Sequence, residues 1–122
     1  MGEYYRFIVG KKGIYEKVEL DCLKTDLRKK TKPDGSWLTK IGKDYPGAIS
    51  FWTKEGMMKY VKSGLSNWHA SVVEGEVEVI IIKEPNNILY RDKYQIIILP
   101  TEVNIKEKLK LNEFLKRFNS YI

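Results

Sequence analysis

The sequence predicts an α+β domain: a mixed or antiparallel sheet with two or three packed helices. Three observations carry that expectation. The order along the chain reads strand, helix, long loop, strand, helix, several strands, helix, with the strands concentrated late. That order lacks the regular strand–helix alternation of a doubly wound sheet. A length of 122 residues, 43% of them hydrophobic and 31% charged, suits one core rather than two, so 1–122 is read as a single domain.

The first strand is Tyr4 to Val9, rich in aromatic and β-branched residues and stopped by Gly10. Gly10, Lys11, Lys12 and Gly13 form a flexible basic turn. From Ile14 the period becomes helical, with Ile14, Val18, Cys22, Leu23 and Leu27 on one face and Glu16, Lys17, Glu19, Lys24 and Asp26 polar. Cys22 falls on or beside the apolar face, where it acts as a small hydrophobe. Arg28 to Pro46 breaks the period and reads as a long loop, with a turn at Pro33-Asp34-Gly35-Ser36. A loop of that length in a small domain usually serves a function or moves.

Gly47 to Trp52 is the next strand. Thr53 caps a short helix with Met57, Tyr60 and Val61 on one face, and Gly64 closes it. Val72-Val73 and Val77 to Ile82 form one or two strands around Gly75. Pro85-Asn86-Asn87 is a turn, Ile88 to Tyr90 and Tyr94 to Leu99 pair as a hairpin around residues 91–93, and Pro100 ends the last strand. Ile105, Leu109, Phe114, Leu115, Phe118 and Ile122 mark a final amphipathic helix, interrupted near Asn112, whose outer face carries Lys106, Lys108, Lys110, Lys116 and Arg117.

Composition narrows the setting. Cys22 is the one cysteine, so no internal disulfide forms, and a lone thiol without a secretory leader points to a reducing, cytoplasmic location. Met1-Gly2 opens a myristoylation pattern that Arg6 at the sixth position breaks. The longest apolar runs, Val79 to Ile82 and Ile96 to Leu99, fall far short of the roughly 20 residues that cross a bilayer. The formal net charge is +6. Such an excess serves solvation, or it meets an acidic partner such as nucleic acid, a phosphorylated ligand or an acidic protein surface.

Few residues carry recognisable chemistry. The Gly10–Gly13 turn follows a strand and precedes a helix, a context suited to an anion, although it lacks a full phosphate-binding fingerprint. One cysteine and one histidine cannot build a zinc shell without carboxylates, and none of those shows ligand spacing. No metal or cofactor is expected. Cys22 and His69 could form a nucleophilic pair only if the fold joined them, and nothing in the sequence does so. His69 reads as a surface histidine beside Trp68 at the start of a strand. Trp37, Tyr45, Phe51 and Trp52 lie in or beside the basic loop, and aromatics interleaved with cations suit a base and its phosphates. Trp52 reads as core; Trp37, with polar flanks, is open to either role.

Tyr5-Arg6-Phe7 on a first strand, Ser50-Phe51-Trp52-Thr53 leading into a helix and a late strand pair together resemble the small ADP-ribosyltransferase-like fold. The resemblance implies that Arg6 holds a dinucleotide and that Ser50 shapes a nicotinamide pocket. A late glutamate would orient the ribose, and the nearest candidates are Gln95 and Glu102. The leading expectation is a non-enzymatic binding domain for an acidic partner, using Lys11, Lys12, Arg28, Lys29, Lys30 and Lys32 for charge and Trp37 for stacking. The competing expectation is an NAD-using transferase with Arg6, Ser50 and Gln95 in its pocket. A third is a small inhibitor acting by surface contact.

Overall fold

Alternation along Glu3–Val9 makes the first strand, β1, the middle of the molecule. Tyr5, Phe7 and Val9 point to one face and Tyr4, Arg6 and Ile8 to the other, and of these six only Arg6 is not buried. A strand apolar on both faces has to be covered on both. The computed structural model describes residues 2–22, 33–38 and 44–119. In chain order these form β1, β2 (Lys12–Gly13), α1 (Ile14–Cys22), β3 (Ile49–Trp52), α2 (Lys54–Lys62), α3 (Leu65–Val72), β4 (Val77–Lys83), β5 (Tyr90–Arg91), β6 (Gln95–Ile98), a 3-10 turn (Pro100–Glu102), β7 (Ile105–Lys110) and α4 (Leu111–Asn119).

The α+β class holds. The sheet runs β5-β6-β3-β1-β4-β7, with β2 attached to β1, and every pairing is antiparallel. The main core lies under the helices. Tyr5, Phe7, Val79 and Ile81 from the sheet meet Ile14 and Val18 of α1, Met57 and Tyr60 of α2, Leu65 and Val72 of α3, and Phe114 and Phe118 of α4. The opposite face carries a second cluster of Tyr4, Phe51, Ile82, Ile96 and Ile98, onto which Ile88 and Val103 of the flanking loops pack. No helix among the described residues is long and apolar enough to cross a membrane.

Two elements differ from the sequence expectation. Val72-Val73 does not begin a strand: Leu65, His69 and Val72 share the buried face of α3, and the strand starts only at Val77. Ile105 to Lys110 is not the first part of the final helix but the edge strand β7, paired with β4 from Glu78–Lys110 to Ile82–Ile105. The lysines at 106, 108 and 110 alternate along it. They reach Glu3, Glu78 and Glu76 respectively, and charge of this kind discourages further strand pairing at an edge. The Gly10–Gly13 turn is tighter than expected, since Lys12–Gly13 already pairs back onto Ile8 and Val9. Gly64 does end α2, at a φ of 86° that an L side chain tolerates poorly.

The joint between β3 and α2 is tight. The Thr53 side chain accepts from Gly56 N at 3.0 Å and donates to Lys93 O at 2.8 Å, while Thr53 N donates to Tyr94 O at 3.0 Å. A Cβ on Gly56 would collide with the Tyr94 carbonyl, lying 2.7 Å from its carbon and 2.9 Å from Trp52 Cε3. Gly56→Ala should therefore destabilise by about 3 kcal/mol or more, despite the roughly 1 kcal/mol that alanine gains over glycine inside a helix. Urea unfolding checks this; an unchanged or higher midpoint would show that α2 is not wedged against the 92–95 turn.

Candidate functional site

β1 has two hydrogen-bonding edges, and they are used unequally. Along one edge all seven residues pair with β4, from Glu3–Lys83 to Val9–Val77. The other edge is divided: Tyr5 pairs with Trp52 of β3, whereas Ile8 and Val9 pair with β2. Arg6 and Phe7 fall between these pairings, so the sheet forks where β3 leaves β1.

Arg6 occupies the fork. Its Nη1 donates to the Ser50 carbonyl at 2.9 Å, across the gap from β1 to β3. Gly13 makes room for the guanidinium, since a Cβ there would sit 2.6 Å from Arg6 Nη2. Arg6 is half-buried, and burial pulls its pKa down, with the charge of Glu16 acting the other way. No carboxylate among the described residues lies within ion-pair distance of it. A guanidinium has five N–H donors, so one carbonyl leaves most of this donor capacity available to an anion.

An aromatic cluster packs on the helix side of the same strands. Trp52 stacks on Tyr60 with centroids 4.8 Å apart, and Tyr15 of α1 meets Trp52, Tyr60 and His69 at 6.3, 6.1 and 4.7 Å. Trp37 packs against Trp52 at 5.6 Å and Tyr94 at 5.1 Å, and its indole N–H donates to Asp34 O. Lys59 Nζ stands 5.0 Å from the Trp37 ring and 4.9 Å from that of Tyr94. Burial raises the phenol pKa of Tyr15, and that of Tyr60 rises well above its ordinary value for the same reason, so both stay protonated. Tyr15 nonetheless keeps 37% of its surface exposed, and Trp37 and Tyr94 are partly exposed as well.

His69 departs from expectation. It is fully buried on α3, not at the surface at a strand start, and its Nδ1 shares a 2.7 Å hydrogen bond with the Tyr60 hydroxyl. The spacing of Leu65, His69 and Val72 was the available signal. Asp21, which drew no attention as a candidate, is 1% exposed, pairs with Lys17 at 2.9 Å and accepts from Glu74 N at 2.7 Å. It ties the end of α1 to the segment after α3 and has a structural role.

The remaining expected residues separate into groups. Ser50 is exposed and contributes its carbonyl, not its hydroxyl, to Arg6. Gln95 begins β6 opposite Trp52, buried, with its amide 3.4 Å from Asp92 Oδ2. Arg6, Ser50 and Gln95 thus stand on three adjacent central strands. Glu102 lies on the 3-10 turn, where its carboxylate accepts from Asn87. Lys11 and Lys12 are exposed on the turn before Gly13, and Lys12 pairs with Glu16 at 3.3 Å. Arg28, Lys29, Lys30 and Lys32 lie outside the described residues, as does the side chain of Cys22. Among the described residues no three His, Cys, Asp or Glu side chains gather to hold a metal ion. The sequence matches no protein-family model, and comparison with curated proteins and with solved structures yields no similar chain.

Asp92 sets the turn that presents Gln95. Its carboxylate accepts from Tyr94 N at 2.8 Å, Gln95 N at 2.9 Å and the Tyr90 hydroxyl at 2.9 Å. Burial alone would raise its pKa, but these hydrogen bonds together hold it below the ordinary value. A depressed carboxylate stabilises above its unfolded pKa, near 3.9, and that stabilisation is lost as pH falls through the lower folded value. Asp92→Ala should therefore lower the melting temperature at pH 7, and the gap to the parent protein should narrow progressively below about pH 4. A gap independent of pH would remove the carboxylate's charge from this account.

Proposed function

We propose that the chain binds a phosphorylated nucleotide of the NAD and ADP class in the fork between β1 and β3, without transferase chemistry. The observation that carries this reading is Arg6: a half-buried guanidinium in the fork, held by a neutral carbonyl and without an ion pair among the described residues. Burying a cation without a counter-charge is costly. An anionic ligand would offset that cost, and a diphosphate accepts the parallel N–H donors of arginine well.

The surroundings of Arg6 favour an anion as well. Lys11 and Lys12 stand on the turn leading into Gly13 and add positive potential at that lip. The resemblance to the ADP-ribosyltransferase-like fold points to the same residues, Arg6 and Ser50. The nearest candidates for that fold's late glutamate are Gln95, whose neutral amide is turned to Asp92, and Glu102, whose carboxylate accepts from Asn87. Binding without group transfer fits both halves of that pattern.

Calorimetric titration with NAD, ADP and adenosine tests the reading. NAD and ADP should bind and adenosine should not, and Arg6→Ala should weaken binding at least tenfold, about 1.4 kcal/mol. Gly13→Ala should weaken it too with little change in stability, because its methyl meets only the movable end of Arg6. Lys11→Ala and Lys12→Ala should matter less. If no phosphorylated nucleotide binds the folded protein, or if Arg6→Ala changes nothing, the proposal fails. Nucleic-acid binding that falls steeply with salt and depends on Lys11 and Lys12 would instead favour the reading of a basic surface for an extended polyanion.

A further inference from the structure

Two groupings of side chains lie outside the fork on the helix face. One lines an apolar groove between α2 and α4, floored by Tyr5, Ile81, Met57, Met58, Phe114 and Phe118. The other is a run of rings that leads from the surface to a buried titratable pair, Tyr60 and His69. Trp37, half-buried on the 33–38 segment, lies 5.6 Å from Trp52 between ring centroids. Trp52 stacks on Tyr60 at 4.8 Å, with the ring planes 23° apart. Tyr60 is fully buried, and its hydroxyl is 2.7 Å from His69 Nδ1. Tyr15 ends the run on the other side, 6.1 Å from Tyr60 and partly exposed. Each ring packs against the next at ordinary aromatic contact distance, so an electron passes along the run without crossing solvent.

The rings differ in how readily each gives up an electron. A phenol that loses an electron becomes strongly acidic, and it is stabilised when a base takes its proton at once. Burial keeps the Tyr60 phenol protonated in the resting protein, so its hydroxyl is the donor and His69 Nδ1 the acceptor. A base therefore stands within proton-transfer reach of Tyr60. The Tyr15 phenol, raised in pKa by burial, has no such base among the described residues. At Trp37 the field opposes oxidation. Lys59 Nζ stands 5.0 Å from that ring, and a cation there favours the electron-rich neutral ring over an oxidised one.

We propose that Tyr60 is a redox-active tyrosine, oxidised by one electron through Trp37 and Trp52, with His69 as its proton acceptor. The co-reactant is a small diffusible one-electron oxidant, of the class of the carbonate and nitrogen dioxide radicals. It takes an electron from Trp37 and leaves as its anion; Trp52 then reduces Trp37, and Tyr60 reduces Trp52. As Tyr60 gives up its electron, its O–H bond breaks and the proton moves to His69 Nδ1. The products are a neutral phenoxyl radical, an imidazolium and the reduced oxidant. The core gains no charge in this last transfer, because the imidazolium replaces the tryptophan radical cation. An ascorbate-type reductant at the exposed edge of Tyr15 returns the electron and becomes a radical itself, while the proton goes back to Tyr60.

Pulse radiolysis with the azidyl radical, which oxidises tryptophan faster than tyrosine, tests this on the whole protein. The tryptophan radical should decay as a tyrosyl radical grows, at a rate independent of protein concentration. Tyr60→Phe should remove most of that tyrosyl signal and leave the oxidation on tryptophan. Lys59→Met should lower the tyrosyl fraction by making Trp37 easier to oxidise, whereas Arg6→Ala should change nothing. His69 is the one histidine of the chain, so an isotopic label on histidine nitrogen identifies the radical's partner. Electron–nuclear double resonance of the frozen radical should show a coupling to that nitrogen and to one exchangeable proton. This readout decides on the parent protein alone if Tyr60→Phe fails to fold. The proposal is overturned if the histidine coupling is absent, if the transfer rate scales with protein concentration, or if folded Tyr60→Phe gives the parent's tyrosyl yield.

Discussion

The long antiparallel ladder between β1 and β4 is the interaction on which the rest of the fold depends. It commits one whole edge of β1 across seven residue pairs. Any other strand that pairs with β1 must share its remaining edge, and two short segments divide it: β3 at Tyr5, and β2 at Ile8 and Val9. Because β2 is part of the turn leading into α1, it cannot be displaced without moving that helix. β3 is therefore held to a single pair with β1 and makes its main ladder with β6, along four pairs. The fork follows from this division of one strand edge. Arg6 is the side chain that the fork receives.

The same division explains how the helix layer is arranged. Thr53 caps α2 and also grips the Lys93 carbonyl, so the β5–β6 turn and the start of α2 move as one piece. Gly56 lets α2 come close enough for Tyr60 to lie flat on Trp52 and reach His69. At full burial the Tyr60 hydroxyl and His69 Nδ1 meet each other's hydrogen-bonding need. That pair fixes α3 against α2 within a core otherwise made of rings and aliphatic chains.

Much of the fold was legible in the residues, and the misreadings have physical causes. β1, β3, β4 and β6 announce themselves because β-branched and aromatic side chains cluster there, and a strand covered on both faces shows apolar runs. β7 was hidden because Ile105 and Leu109 are four apart, a helical interval, and the adjoining Phe114 and Phe118 genuinely are helical. The alternation of Lys106, Lys108 and Lys110 was the better guide, being a period of two that no helix face produces. α3 was obscured in the opposite sense: β-branched Val72 and Val73 suggested a strand, while burial of Leu65, His69 and Val72 on one face settled the matter in favour of a helix. At the site, Arg6 and Ser50 could be singled out from the sequence. Their junction through a backbone carbonyl could not, because it depends on where β3 stops following β1.

Charge placement separates the fork from the groove between α2 and α4. Around the groove, carboxylates and cations are interleaved, as Lys106 with Glu3 and Arg117 with Glu107. Such exposed pairs contribute little stability each, but they cancel part of the local field. In the fork the balance is reversed. Arg6 is partly removed from water, its hydrogen-bond partner is neutral, and Glu16 affects it only through its field. With no ion pair among the described residues, the guanidinium is offset there only by the field of Glu16. One small domain thus carries two regions that differ in kind: a fork with a cation that has no ion pair among the described residues, and an apolar groove beneath a rim of interleaved ion pairs.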